Sequence, residues 1–204
     1  MVRRGAPRAS GGRAPNRFWN LPNLLTYGRI AFIPALVACF FIEGDLGHWL
    51  AMSIFIAAGV SDFLDGYLAR AWGQQSAMGR MLDPIADKLI VSAALLMLAA
   101  SQTIAGWSLW AGVIILCREI LVSGLREFLG TLAVSVPVTR LAKWKTVVQM
   151  VAIGFLLAGS AGDKVWPYTT LFGLTLLWIA ALLTLYTGYD YLRASLRHVM
   201  TEGD

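Results

Sequence analysis

The chain has 204 residues, of which 57% are hydrophobic and only 14% are charged, and its formal net charge at pH 7 is +5. With a mean hydropathy of +0.63, this composition excludes an ordinary soluble domain and indicates a polytopic membrane protein with one membrane domain. The basic balance favours attraction to anionic lipid headgroups over binding of nucleic acid.

The chain begins with a polar segment before its first apolar stretch. Residues 1–19 are rich in Arg, Gly, Ala and Pro and lack the apolar core of a signal peptide, so they are predicted to form a disordered basic tail. Phe18 and Trp19 are typical of a short interfacial segment, in which Pro22 lies near the start of the first helix. The membrane domain is predicted over residues 20–194, followed by a C-terminal tail at 195–204.

Six stretches are apolar enough to cross a bilayer, which requires roughly 20 helical residues for about 30 Å of hydrocarbon. They are residues 25–43, 49–69, 82–101, 105–126, 141–161 and 167–190. The predicted fold is therefore all-α, with six transmembrane helices. If the N-terminus is cytoplasmic, Lys164 is the only Lys or Arg in the outer connections near 44–48, 102–105 and 162–166. The positive-inside rule therefore predicts both termini on the cytoplasmic side.

The cysteines and histidines give no catalytic or metal signal. Cys39 and Cys117 fall within different spans without metal-ligand spacing, so both are predicted to be inert packing residues. His48 is predicted in an outer loop and His198 in the C-terminal tail, and both are interpreted as peripheral. The connection at 127–140, between the fourth and fifth spans, is predicted to be the most mobile one.

Four aspartates stand inside apolar stretches: Asp62 and Asp65 near the inner end of the second span, Asp83 and Asp87 at the start of the third. Acids in hydrocarbon are costly, so they usually face a polar cavity, an ion pathway or a partner charge. The spacings i,i+3 and i,i+4 keep each pair on one helix face. An oxygen-only cluster of this kind suits Mg²⁺ or Mn²⁺ rather than Zn²⁺. Solvated acids at helix ends, paired with nearby basic residues, are the competing interpretation.

The run Asp62-x2-Asp65-Gly66-x2-Ala69-Arg70-x8-Gly79-x3-Asp83-x3-Asp87 resembles the signature of the CDP-alcohol phosphotransferase family at every signature position. The resemblance implies a membrane enzyme of six helices, usually a homodimer, that holds two divalent cations, Mg²⁺ or Mn²⁺, at the cytoplasmic side. It implies that Asp62, Asp65 and Asp83 are the principal metal ligands. Asp87 would be a further ligand or the general base for the incoming hydroxyl.

The same resemblance implies a nucleotide site beside the acids, where the CDP moiety would be bordered by Gly66, Ala69, Arg70 and Gly79. Phosphoryl transfer agrees with these residue types, because it needs charge neutralisation and positioning more than a covalent nucleophile.

Basic residues on the inner halves of the next two spans predict a phosphorylated acceptor. Arg118 and Arg126 are eight residues apart in the fourth span, just over two helical turns, and so share roughly one face. Lys143 and Lys145 open the fifth span. Arginine forks suit bidentate phosphate contact and lysine adds a point charge, so these four are predicted to bind the acceptor phosphate. For about one of the two lysines, ordinary positive-inside flanking is the alternative.

Three further stretches resemble one bacterial branch of the family, which transfers the phosphatidyl group of CDP-diacylglycerol to sn-glycerol 3-phosphate: 20–29, 117–128 and 142–149. This resemblance implies phosphatidylglycerophosphate and CMP as products and a location in the bacterial inner membrane. Two alternatives stay open. The acceptor could be an inositol phosphate or phosphatidylglycerol, or the four acids could form the cation path of a transporter.

Overall fold

The computed structural model describes residues 21–72, 77–131 and 140–201, and this part of the chain forms six α-helices. They are α1 (Leu21–Cys39), α2 (Asp45–Trp72), α3 (Ala77–Ala100), α4 (Ser108–Thr131), α5 (Arg140–Val165) and α6 (Thr169–Thr201). The predicted all-α fold is confirmed. Several helices outrun their predicted spans, because hydropathy marks only the apolar part of a helix. The 33 residues of α6 make a helix about 50 Å long, against about 30 Å of hydrocarbon.

Four helices contain a stretch long and apolar enough to cross a membrane, as judged over the described residues: Asp45–Leu64, Ser108–Gly130, Trp144–Val165 and Thr169–Arg193. The apolar stretch of α1 is shorter, at Tyr27–Cys39, and α3 carries Asp83, Asp87 and Lys88 in its first half. Many large hydrophobic side chains are exposed around the helices. The protein is therefore a polytopic membrane protein, and crossing by α1 and α3 stays a prediction.

The helices share one apolar core. Fully buried side chains from all six helices meet there, including Leu36, Phe55, Ile90, Ile115, Leu156 and Leu177. Packing is most extensive between α5 and α6, and α1 lies against both α2 and α3. Direct contact between α2 and α3 is slight. The two helices that carry the aspartates are thus held in place largely through α1.

His48, which the sequence predicted to lie in a loop, contacts α5 beside a break in that helix. Gly159 has φ 44° and ψ −130°, so the helix is interrupted there. His48 instead lies in the first turn of α2, with Nδ1 3.1 Å from the carbonyl oxygen of Leu157 and Nε2 3.1 Å from Ser160 Oγ. The ring supplies polar contacts to a stretch of α5 in which helical hydrogen bonding is disturbed. The loop prediction for His48 was wrong because α2 begins at Asp45.

Three other local predictions changed with the structure. The connection predicted at 127–140 begins later, because α4 continues to Thr131, and residues 132–139 lie outside the described part of the chain. Cys39 is buried as expected, but Cys117 is exposed, so its role as a packing residue was wrong. His198 falls within α6, and its side chain is outside the description.

Candidate functional site

An ion pair between α1 and α2 lies at the first of the signature acids. Arg29 Nη1 is 2.6 Å from Asp62 Oδ1, and the arginine side chain is 1% exposed whereas that of Asp62 is 50% exposed. A buried guanidinium needs a nearby negative charge to offset the loss of its hydration. Arg29 of α1 therefore places a positive charge directly beside Asp62, the first signature acid of α2.

The second acid pair lies on α3, where Asp83 and Asp87 are both partly buried. Asp62 is near enough to Asp87 to interact with it electrostatically, and so are Arg29 and Lys88. The Lys88 ammonium donates to the carbonyl oxygen of Pro84, 2.9 Å away, within the turn that joins the two aspartates. Asp62 of α2 and Asp87 of α3 therefore lie in one region of the protein, together with Arg29 of α1.

The structure describes the side chains of three of the four predicted carboxylates, those of Asp62, Asp83 and Asp87. Among the side chains it describes, no group of three or more His, Cys, Asp or Glu residues could hold a metal ion. The side chain of Asp65 is outside that description, as are those of the other predicted site residues Gly66, Ala69, Arg70, Gly79 and Lys143. By donor chemistry the oxygen ligands of Asp62, Asp83 and Asp87 fit a hard divalent ion. The four-ligand metal site stays a prediction.

The two predicted arginines of α4 both contact α6. Arg118 Nη2 donates to Thr187 Oγ1 at 3.2 Å, and the guanidinium of Arg126 lies over the ring of Tyr191, 5.8 Å from its centroid. Because Thr187 and Tyr191 are one turn apart on α6, the arginines share one face of α4, as their spacing predicts. Gly188 makes room for the stem of Arg118: a Cβ added there would lie 2.9 Å from Arg118 Cγ.

Lys145 is buried, with 3% of its side chain exposed, and it forms an ion pair with Glu119 Oε1. The same carboxylate oxygen is 3.7 Å from Arg118 Nη1. Glu119 therefore serves as the counter-charge for one cation of α5 and one of α4. The sequence predicted Lys145 as a ligand of the acceptor phosphate and Glu119 as a partner of Arg118 alone, so the pairing of Glu119 with Lys145 was not predicted.

A small polar cavity lies beside this ion pair, between α3, α4 and α5, with a volume of about 30 Å³. Asp87, Glu119 and Gln149 are among the residues that line it. Gln149 is 3% exposed, and its Oε1 has no hydrogen-bond partner in the described structure. Sequence reasoning missed this residue as a site residue, because one glutamine in an apolar helix has many possible explanations.

A much larger cleft of about 700 Å³ runs between α2 and α5 and reaches the start of α6. It begins at Phe63, next to Asp62, and continues past Gly59 and Gly154 to Trp49 and Trp166. Its lining is almost entirely apolar. A cleft of this size and character fits long hydrocarbon chains.

Arg29 is the principal charged residue that sequence reasoning failed to assign. A signal was present, since an arginine within an apolar span is expensive and usually functional. Its partner could not be deduced, because that depends on how α1 is rotated between α2 and α3.

Comparison with known proteins agrees with the motif. The family model for CDP-alcohol phosphatidyltransferase matches residues 19–186. A protein of Rickettsia bellii named CDP-diacylglycerol–glycerol-3-phosphate 3-phosphatidyltransferase is 47% identical over 175 residues, which are 86% of this chain and 94% of that protein. Proteins of the same name from Cereibacter sphaeroides and Haemophilus influenzae are 40% and 37% identical, over 90% and 87% of this chain and 99% and 94% of their own lengths. The resemblance inferred from the eight signature residues is confirmed.

Proposed function

The chain belongs to the CDP-alcohol phosphatidyltransferase family, and from this membership we propose that it transfers the phosphatidyl group of CDP-diacylglycerol to sn-glycerol 3-phosphate. The products are phosphatidylglycerophosphate and CMP. One observation carries the proposal: proteins named for this reaction are similar to the chain over nearly their whole length, at 47% and 40% identity in two cases. The matched segment at 19–186 includes every signature residue.

The acids supply the metal ligands of the reaction. Asp62, Asp65 and Asp83, with Asp87 as a further ligand, would hold two divalent cations, Mg²⁺ or Mn²⁺, which when bound neutralise the pyrophosphate and the departing CMP. The oxygen-only donor set of the described acids supports this role. The positive charge of Arg29 beside Asp62 offsets part of the repulsion among the carboxylates.

Asp87 is also the proposed general base. It accepts the proton of the attacking hydroxyl, whose oxygen bonds to the phosphorus attached to diacylglycerol while the bond from that phosphorus to the CMP oxygen breaks. Its partly buried position on α3, within electrostatic reach of Asp62, suits a group that must lie beside the reacting phosphate. Gly66, Ala69, Arg70 and Gly79 would border the CDP moiety.

The acceptor phosphate is assigned to the basic residues Arg118, Arg126, Lys143 and Lys145. Arg118 supports this assignment, because it is largely buried and its Nε has no hydrogen-bond partner in the described structure. Lys145 is also buried, and it pairs with Glu119, the carboxylate that it shares with Arg118. A phosphate would add negative charge where two buried cations share one carboxylate.

The diacylglycerol chains are assigned to the apolar cleft between α2 and α5. One end of the cleft is lined by Phe63, the residue that follows Asp62 on α2, so a lipid whose phosphate lies at the acids could extend its hydrocarbon towards the cleft. Gly154 lines the cleft at a point where an added Cβ would meet no atom within 4 Å.

We place the protein in the bacterial inner membrane with both termini in the cytoplasm, as a homodimer. Orientation can be tested by thiol labelling. After replacement of Cys39 and the exposed Cys117 by alanine, a cysteine at Ser10 should react with an impermeant reagent only once the membrane is disrupted. A cysteine at Leu46 should react in spheroplasts, and the reverse pattern would overturn the orientation.

The decisive experiment for the reaction uses purified protein with CDP-diacylglycerol and glycerol 3-phosphate. CMP should be released with Mg²⁺ or Mn²⁺ and not with excess EDTA, and Asp83→Asn should be nearly inactive at equal yield. Inositol phosphate and phosphatidylglycerol are the comparison acceptors, and faster turnover of either would reassign the acceptor. A transporter would move metal ions across proteoliposomes without releasing CMP.

A further inference from the structure

The cavity between α3, α4 and α5 contains an unsatisfied hydrogen-bond acceptor. Gln149 is buried, and its Oε1 has no partner in the described structure. A buried polar atom without a partner is costly, so such atoms are normally bonded to protein, water or ligand. Gln149 also lines the cavity. The oxygen therefore needs a donor, and the cavity is where that donor would be.

The dimensions of the cavity limit what can enter it. About 30 Å³ accommodates roughly two water-sized groups, which is too little for a phosphate group but enough for a hydroxyl and the carbon that bears it. Val91, Leu116 and Met150 form apolar walls around the polar residues. Two lysines are close by, and each is already engaged: Lys88, which lines the cavity, donates to the carbonyl oxygen of Pro84, and Lys145 is paired with Glu119. The site thus suits a small neutral donor.

We propose that Gln149 accepts a hydrogen bond from the secondary hydroxyl of the acceptor, and so selects a vicinal diol phosphate over a simple hydroxyalkyl phosphate. This inference rests on the proposed function. Asp87, the base assigned to the attacking hydroxyl, lines the same cavity as Gln149. In glycerol 3-phosphate the secondary hydroxyl is on the carbon next to the attacking one. The phosphate is on the other side of that carbon and would lie outside the cavity, whose lining residue Glu119 is 3.7 Å from Arg118.

The test compares glycerol 3-phosphate with 3-hydroxypropyl phosphate, which lacks only the secondary hydroxyl. The measured quantity is the ratio of kcat/KM for the two acceptors on one preparation, so the amount of folded protein cancels. The native protein should prefer glycerol 3-phosphate by roughly five- to 150-fold, the range expected when a buried acceptor loses its partner. Gln149→Met, similar in size but without the acceptor, should reduce the preference to about threefold or less.

Two further variants make the comparison specific. Gln149→Leu should lose the preference as Gln149→Met does, whereas Leu116→Met, a volume-conserving change in an apolar wall of the same cavity, should keep it. Equal use of both acceptors by the native protein would overturn the inference. An unchanged preference in Gln149→Met would also overturn it and would assign the oxygen to water. Both results leave the proposed function standing, since glycerol 3-phosphate is still used. Absence of CMP release with either acceptor would instead refute the proposed function.

Discussion

The ion pair between Glu119 of α4 and Lys145 of α5 gives a sharp test of what holds the candidate acceptor region together. Lys145 is 3% exposed and Glu119 is 22% exposed, and the same glutamate oxygen lies 3.7 Å from Arg118 Nη1. Glu119→Gln keeps the shape of the side chain but removes its charge. The change therefore leaves one buried ammonium and one largely buried guanidinium without their shared counter-charge.

The expected loss of stability follows from this burial. Removal of one member of a buried pair costs about 3–5 kcal/mol, because the other charge stays desolvated. The partial exposure of Glu119 and the electrostatic attraction of Lys145 to Asp87 place the expectation near the lower end, about 3 kcal/mol. Lys145→Met should cost less, about 1–3 kcal/mol, since Glu119 keeps Arg118 nearby and retains some contact with solvent.

The assay is equilibrium unfolding in mixed micelles, with thermal unfolding as a second measure. A loss of about 3 kcal/mol corresponds to a midpoint lower by about 6–12 °C for a chain of this length. The double variant Glu119→Gln/Lys145→Met should be more stable than the sum of the two single losses predicts, by about 1–3 kcal/mol. Glu127→Gln, at an exposed glutamate on the same helix, is the matched control and should stay within about 0.5 kcal/mol of the native protein. Additive single effects, or a loss below about 1 kcal/mol for Glu119→Gln, would refute the reasoning.

The remaining predictions concern catalysis, the lipid cleft and the break in α5. Asp87→Asn should abolish turnover while CDP-diacylglycerol binding, measured by calorimetry, is kept; a parallel loss of binding would remove its role as base. Gly154→Phe should reduce kcat/KM for a long-chain CDP-diacylglycerol by about tenfold or more relative to a dioctanoyl form, and Gly124→Phe on the exposed side of α4 should not alter that ratio. Gly159→Ala should lower stability by about 1–3 kcal/mol, because its φ is positive and the new Cβ would lie 3.2 Å from the His48 ring. Unchanged unfolding of Gly159→Ala would show that the backbone at this position is not constrained.

The helices and the family were accessible from the sequence because both are recorded locally along the chain. A helix that crosses a bilayer must satisfy its backbone hydrogen bonds within itself and present apolar side chains, so its approximate position is visible as hydropathy. The spacing of the acids, from Asp62 to Asp87, is likewise a property of one continuous segment. The ends of the helices were harder to predict from the sequence. The first turn of α2 and the last of α4 are more polar than the spans they extend, which is why His48 and residues 127–131 were assigned to loops.

The sequence by itself determined six helices, two acid pairs each on one helix face, and a set of basic residues in the C-terminal half of α4 and at the start of α5. Only the tertiary structure decided which charges meet. Arg29 pairs with Asp62 because α1 lies against both α2 and α3. Lys145 pairs with Glu119 although, within the described residues, the backbones of α4 and α5 do not pack closely against each other. Gln149 likewise lines a polar cavity because of the way α5 is placed against α3 and α4. Such partners depend on the rotation and tilt of each helix against the others, and hydropathy constrains only which face avoids water, not which polar groups lie opposite one another.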